Sequence, residues 1–265
     1  MVGKTSVAGA KSDATDQPNI RTIGVDDLTT ALRKGFQDFK ALPTHLIFLA
    51  VIYPVLALLF VRAAAQDAVL PLVFPILAGY TLIGPLVAIG IYELSRRREA
   101  GLTPTRRDAL TVLKSDSIGS ILALGIALMV VYFAWLFVAQ GLYQQLLGGQ
   151  GAASVGGFLG LIFGTGAGWQ LIILGSGIGF VFAAVVFTLS VVSFPMLVDR
   201  NVGIATALST SVRAVMANKG TMMIWGFIVA AALLIGSIPV FVGLAVVLPI
   251  LGHATWHLYK AVVDP

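Results

Sequence analysis

A chain of 265 residues with 58% hydrophobic and 11% charged side chains lies far from the balance of a soluble domain, where charged residues make up about a quarter, and reads as a chain solvated by lipid. Its formal net charge of +5 would suit a nucleic-acid partner in a soluble protein, but the basic residues flank apolar runs, where the positive-inside rule and anionic headgroups account for them, and nucleic acid is set aside as a partner. The absence of cysteine removes disulfides, thiolate metal sites, c-type haem attachment and palmitoylation together.

Residues 1–19 are polar, rich in Ala, Ser, Thr and Asp, and lack the short apolar core of a signal peptide. They are expected to be a retained, disordered tail ahead of a single membrane domain over residues 20–265. Ile20 to Leu42 reads as an amphipathic helix on the membrane surface. Leu28, Ala31, Leu32, Gly35, Phe36 and Phe39 recur at helical spacing, with Arg33, Lys34, Gln37 and Asp38 opposite; Asp26 or Asp27 can cap the start, and Pro43 ends it. A first span over 46–61 is short against the roughly twenty residues a bilayer core needs, with Thr44 and His45 available to extend it. Arg62 to Val69 forms an outer loop. A second span over 70–94 contains Pro71, Pro75 and Pro85, which predict kinks.

Ser95 to Asp116 carries Arg96, Arg97, Arg98, Arg106, Arg107 and Lys114, the strongest topological signal in the chain. A third span over 117–139 leads into Gln140 to Gly168, which holds no charged residue and is either a flexible loop or a segment that dips back into the bilayer. A fourth span over 169–195 delivers Asp199 and Arg200. Asn201 to Gly220 is a second amphipathic surface segment, and spans over 222–237 and 240–258 follow, turned by Ser237, Ile238 and Pro239. The expected fold is therefore all-α and polytopic, with six transmembrane helices arranged as three hairpins and amphipathic cytoplasmic surface helices. Arg62 alone of the 17 Lys and Arg residues falls on the outer side, which puts both termini on the cytoplasmic side. Ala31-Leu32, Ala109-Leu110 and Ala207-Leu208 each open a segment leading into a hairpin, as in a threefold repeat; Gly35 and Ser211 match between the first and third copies.

Candidate chemistry is sparse. His45, His253 and His257 all fall at the cytoplasmic edge, and the spacing of four puts His253 and His257 on one helical face about 6 Å apart. Such a pair suits copper or zinc, with His45 as a third ligand if the first and last helices are neighbours; a haem would need His45 opposite one of the other two. Against this, Trp256, Tyr259 and Lys260 make an ordinary interfacial anchor in which a histidine needs no ligand. Gly160, Gly164 and Gly168, and Gly175 and Gly179, repeat at the interval that lets helices approach closely. No nucleophile elbow, phosphate loop or zinc-protease motif occurs, and no ionisable residue lies in the core of a span, where a transporter keeps one.

Three groups of residues carry a family resemblance. They are Ile20-Arg21-Thr22-Ile23, Asp27-Leu28, Ala31-Leu32, Gly35, Asp38-Phe39, Pro43 and His45; then Pro195 to Arg200, Ser211 to Ala214 and Trp225-Gly226; then Leu248-Pro249, Gly252 to His257 and Tyr259. With these, the chain from about Ile20 to Lys260 resembles an uncharacterised, mostly proteobacterial family of integral membrane proteins, some of whose members are labelled cytochrome c oxidase subunits. The resemblance implies a place near respiratory complexes, although the many buried histidines of a haem-copper catalytic subunit are missing. The expected function is that of a non-enzymatic accessory or assembly partner of a larger membrane complex. Two alternatives stand beside it: a metal or haem protein built on His45, His253 and His257, and a carrier or channel for a small neutral solute.

Overall fold

A computed structural model describes residues 17–42, 75–76, 88–148, 155–239 and 241–264. The first expected span, most of the second, Arg62, His45 and the greater part of the tail lie outside the described residues. The described chain is helical, and its only β pairing is an antiparallel bridge between Ile20 and Val263. The helices are α1 (Val25–Ala41), α2 (Ile89–Glu99), a 3-10 helix (Arg106–Lys114), α3 (Ile118–Leu147), α4 (Val155–Gly164), α5 (Gly166–Ser190), α6 (Ser193–Asp199), α7 (Ile204–Ala217), α8 (Lys219–Ser237) and α9 (Leu244–Val262).

α1 starts five residues later than its hydrophobic pattern suggests. The Asp27 carboxylate accepts the Gly24 N–H at 2.8 Å and closes the first turn there, and Asp26 and Asp27 sit favourably at the positive end of the helix dipole. Ahead of it the chain is extended because other partners claim its backbone. Asn218 accepts the Ile23 N–H at 2.8 Å and donates to the Arg21 carbonyl at 3.0 Å, while Arg21 N–H donates to the Val262 carbonyl at 2.9 Å. Residues 19–23 and 262–264 are thereby clasped together.

The uncharged stretch after the third expected span is mostly helix. α3 runs 30 residues to Leu147, since nothing between Gln140 and Leu147 breaks it, and its length of roughly 45 Å exceeds a bilayer core of about 30 Å. α4 covers 155–164, and Thr165 caps α5 by accepting the Gly168 N–H at 3.0 Å while its hydroxyl donates to the Leu161 carbonyl at 2.7 Å. α5 breaks from α6 at Val191–Val192, because Pro195 has no N–H for the carbonyl one turn back. Ser211 of α7 repairs the break: its Oγ accepts the Val192 N–H at 3.2 Å and donates to the Thr188 carbonyl at 2.7 Å.

Three helices among the described residues are long and apolar enough to cross a membrane: α3, α5 continued into α6, and α8. Over their most apolar stretches only 28%, 6% and 17% is buried, so large side chains such as Phe133, Phe137, Phe180, Phe227 and Leu234 face outward. A water-soluble protein does not expose so continuous an apolar surface; lipid is its solvent. α9 is not one of the three, since His253, Trp256, His257, Tyr259 and Lys260 make its second half polar. α8 and α9 turn through a tight connection in which Phe241 adopts φ 63° and a Cβ on Gly243 would lie 2.7 Å from the Gly236 carbonyl oxygen. Of the three suggested repeats, Ala31 and Ala207 are both buried, as are Gly35 and Ser211, but the middle copy is a shorter 3-10 helix in which Ala109 is only half-buried.

The dense core lies at the cationic end. Trp225, Trp256, Tyr259, Phe194, Met222 and Leu28 are fully buried there, where α1, α2, α6, α7, the start of α8 and α9 converge. α1 crosses α9 at Gly35, where an added Cβ would stand 2.6 Å from the Ala254 backbone nitrogen.

Candidate functional site

The second half of α9 is the polar hub of the molecule. Its 3.6-residue period sends His253, Trp256, His257, Tyr259 and Lys260 toward three neighbouring elements, and each finds a carboxylate or a hydroxyl. Trp256 Nε1 donates to Glu99 of α2 at 3.1 Å. Tyr259 donates its hydroxyl to Asp199 of α6 at 2.7 Å, and Lys260 reaches the same carboxylate at 3.3 Å. The two histidines meet Asp38 of α1.

Asp38 is 6% exposed and carries three donors. Arg98 Nη1 bonds its Oδ1 at 2.7 Å; Ser95 Oγ at 2.9 Å and His257 Nε2 at 2.8 Å share its Oδ2. His253 Nδ1 lies 2.7 Å from Ser95 Oγ and 3.8 Å from Asp38 Oδ2. Because the single Ser95 hydrogen goes to Asp38, the network assigns the His253 hydrogen to Nδ1, which donates to the serine. His253 Nε2 and His257 Nδ1 are buried and have no hydrogen-bond partner among the described residues. Burial by itself would raise the Asp38 pKa, but the hydrogen bond and charge of His257, the Ser95 hydroxyl and His253 together hold it below the ordinary carboxylate value. Arg98 and Asp38 cancel each other's charge, so the pocket pairs its one buried anion with a cation at its rim.

An arginine lattice surrounds this centre. Glu93, 3% exposed, receives Arg96 Nε at 2.7 Å, Arg96 Nη2 at 2.9 Å and Arg97 Nε at 2.6 Å, and Arg97 continues to Asp108 at 3.0 Å. The basic run that reads as a topological signal is thus also a structural one, with Arg96, Arg97 and Arg98 each bound to a buried or half-buried acid.

Residues 73–199 match a known family model. Its description is "Predicted integral membrane protein (DUF2189)", and over this stretch, a little under half the chain, the protein is similar to that uncharacterised membrane family. No curated protein and no solved structure matches the chain. With its several apolar helices the chain is an integral membrane protein. The matched stretch includes Ser95, Glu93 and the three arginines but stops short of α7 to α9, so Asp38, His253 and His257 stand outside it.

Sequence and structure differ here in an instructive way. His253 and His257 do lie on one face of α9, as their spacing predicts, but both are engaged through α1 and α2 by hydrogen bonds, and no group of three or more metal-ligating side chains converges among the described residues. His45, the third expected ligand, lies outside those residues. Asp38, read as part of the polar outer face of α1, is buried on its inner face, while Phe36, read as core, is 44% exposed. The signal was present in the spacing of Leu28, Ala31, Gly35 and Asp38, a continuous inner stripe that ends in a charge. Ser95 and Arg98 carried no such signal, being one serine and one arginine in a basic run. The glycine pattern splits as well. Gly179 faces Trp135 of α3 and Gly175 faces Leu142, as expected for packing, whereas Gly160 and Gly164 have no described atom within 4 Å of an added Cβ.

Proposed function

We propose that this integral membrane protein is a non-enzymatic accessory or assembly partner of a larger complex in the bacterial inner membrane, with its cationic end in the cytoplasm and six spans arranged as three hairpins. The observation that carries the reading is a set of glycines on α4 and α5 that face open space among the described residues. Gly160 and Gly164 on α4, and Gly177 on α5, the apolar helix that buries least of its surface, leave open space where side chains would stand. Small residues in lipid give a neighbouring helix close backbone approach, and so suit a partner helix better than they suit lipid. The polar centre supports the same reading, since Asp38, Ser95 and Glu93 are already engaged by neighbouring side chains. A respiratory complex is the partner to which the sequence resemblance points. Purification in mild detergent tests this: one co-purifying membrane protein at fixed ratio is expected, and Gly160→Leu with Gly164→Leu should release it. Recovery of the protein reproducibly alone would sink the proposal.

A second reading is a metal or haem protein using His253 and His257 with His45. It is favoured by the two buried imidazole nitrogens without partners, His253 Nε2 and His257 Nδ1. Metal analysis and an absorbance spectrum of the purified protein separate it from the first: bound copper, zinc or haem that disappears in His253→Ala and His257→Ala is its signature, and none in the wild type removes it.

A further inference from the structure

The 3-10 helix Arg106–Lys114 exposes leucines that the packing of the described chain does not use. With three residues per turn, side chains three apart eclipse one another, so its nine residues form three ridges. Asp108 and Thr111 make one ridge, bound to α2: Arg97 donates to both, at 3.0 and 3.1 Å, and Thr111 Oγ1 approaches Glu93 at 3.2 Å. Ala109 and Val112 make the second and point inward. Val112 is buried, and the missing side chain of Gly90 is what admits Ala109, whose Cβ would lie 3.0 Å from a Cβ added there. Arg107, Leu110 and Leu113 make the third ridge, which faces away from α2, and both leucines are 64% exposed.

The ridge is held rigidly, because Asp108 also accepts the Thr105 N–H at 2.6 Å and so caps the helix. Arg106 and Arg107 at one end and Lys114 at the other are exposed and make no ion pair among the described residues; Asp108, the acid inside the helix, is taken by Thr105 and Arg97. After three connecting residues α3 begins, and its Leu122 and Ile126 are exposed on the surface that lipid solvates.

We propose that this ridge, with the exposed cations at the two ends of its helix, is a docking site for anionic phospholipid at the membrane interface, with Leu110 and Leu113 at the acyl boundary, and Arg107 on the ridge and Arg106 and Lys114 beside it on headgroup phosphates. Two observations select that occupant. The ridge leads through a short connection into α3, whose exposed apolar side chains meet lipid, and cations without an ion-pair partner among the described residues flank its leucines, which suits an amphiphile and not a free anion. Apolar insertion and headgroup attraction act together in such sites, so the binding depends on lipid charge.

The test uses the full chain in mild detergent, following thermal unfolding with added phosphatidylglycerol, phosphatidylcholine or inorganic phosphate. Phosphatidylglycerol is expected to raise Tm more than phosphatidylcholine, and phosphate alone to leave it in place. The preference should fall by at least half in Arg106→Gln/Arg107→Gln/Lys114→Gln and survive in Arg106→Lys/Arg107→Lys. Leu110→Ser/Leu113→Ser, which keeps every charge, should lose the gain from both lipids. Arg33→Gln/Lys34→Gln on α1 should keep the preference. Equal response to the two lipids, an unchanged preference in the triple variant, an equal loss in the α1 variant, or a full response to phosphate would each overturn the assignment.

Discussion

The cationic end of the molecule and its apolar helices are built on opposite plans. At the cationic end, α1, α2 and α9 pack so closely that Gly35 touches the Ala254 backbone, and Asp38 and Glu93 are buried beneath arginines. Along α3, α5 and α8, aromatic and aliphatic side chains point outward and glycines stand over open space. Water explains the first plan and lipid the second. Where water is the alternative, apolar groups gain by burial and charges need partners to be buried; where lipid is the alternative, exposure of Phe180 or Phe227 costs nothing. Tight packing and a polar network therefore hold the end of the bundle, and the membrane itself holds the helices.

That contrast can be broken most directly at Asp38. Asp38→Ala leaves Ser95 and His257 without their acceptor in a buried pocket and Arg98 unpaired at its rim; losing the partner of a buried polar group costs about 1–3 kcal/mol for each group, so a large drop in apparent Tm in detergent is expected. A next-largest effect is expected from one substitution made in both regions. Gly35→Ala overpacks the α1–α9 crossing and should cost about 1–3 kcal/mol, while Gly160→Ala in the same detergent should change stability by less than about 0.5 kcal/mol. Equal effects at the two sites would contradict the proposed division.

Acid should loosen the cationic end first. Asp38 is held below its ordinary value in the folded state, so its stabilisation is complete above the unfolded value of roughly 4 and is lost as pH falls through the folded one. Tm should fall as pH drops below about 4, and Asp38→Asn should flatten that dependence. The smallest effect belongs to the lipid-facing side. Phe180→Leu is expected to shift Tm by no more than about 0.5 kcal/mol equivalent, because its neighbour is a lipid or detergent chain in either case.

Much of this division can be read from residue order. The apolar runs that became α3, α5 and α8 are long enough, and free enough of charge, that their medium follows from composition, and the basic run from Arg96 to Lys114 marks one end of them. Boundaries followed less well. α3 ran on to Leu147 because a stretch without charge is compatible with helix as well as loop, and α1 began late because Asn218, distant in sequence, claims the Ile23 backbone. The candidate site was legible only by halves. His253 and His257 declared themselves through their spacing, but Asp38 was hidden by a one-residue ambiguity in the helical wheel, where a buried aspartate and an exposed phenylalanine exchange the roles their chemistry suggests.

By itself the sequence determined the medium, the helical class and the end of the bundle that carries the positive charge, because these follow from sums over many residues and no single contact can reverse them. Only the tertiary structure decided which charges are buried. Whether Asp38 faces solvent or the imidazoles of α9 depends on one close helix crossing at Gly35, and a pairing across 219 residues leaves no periodic trace in either segment.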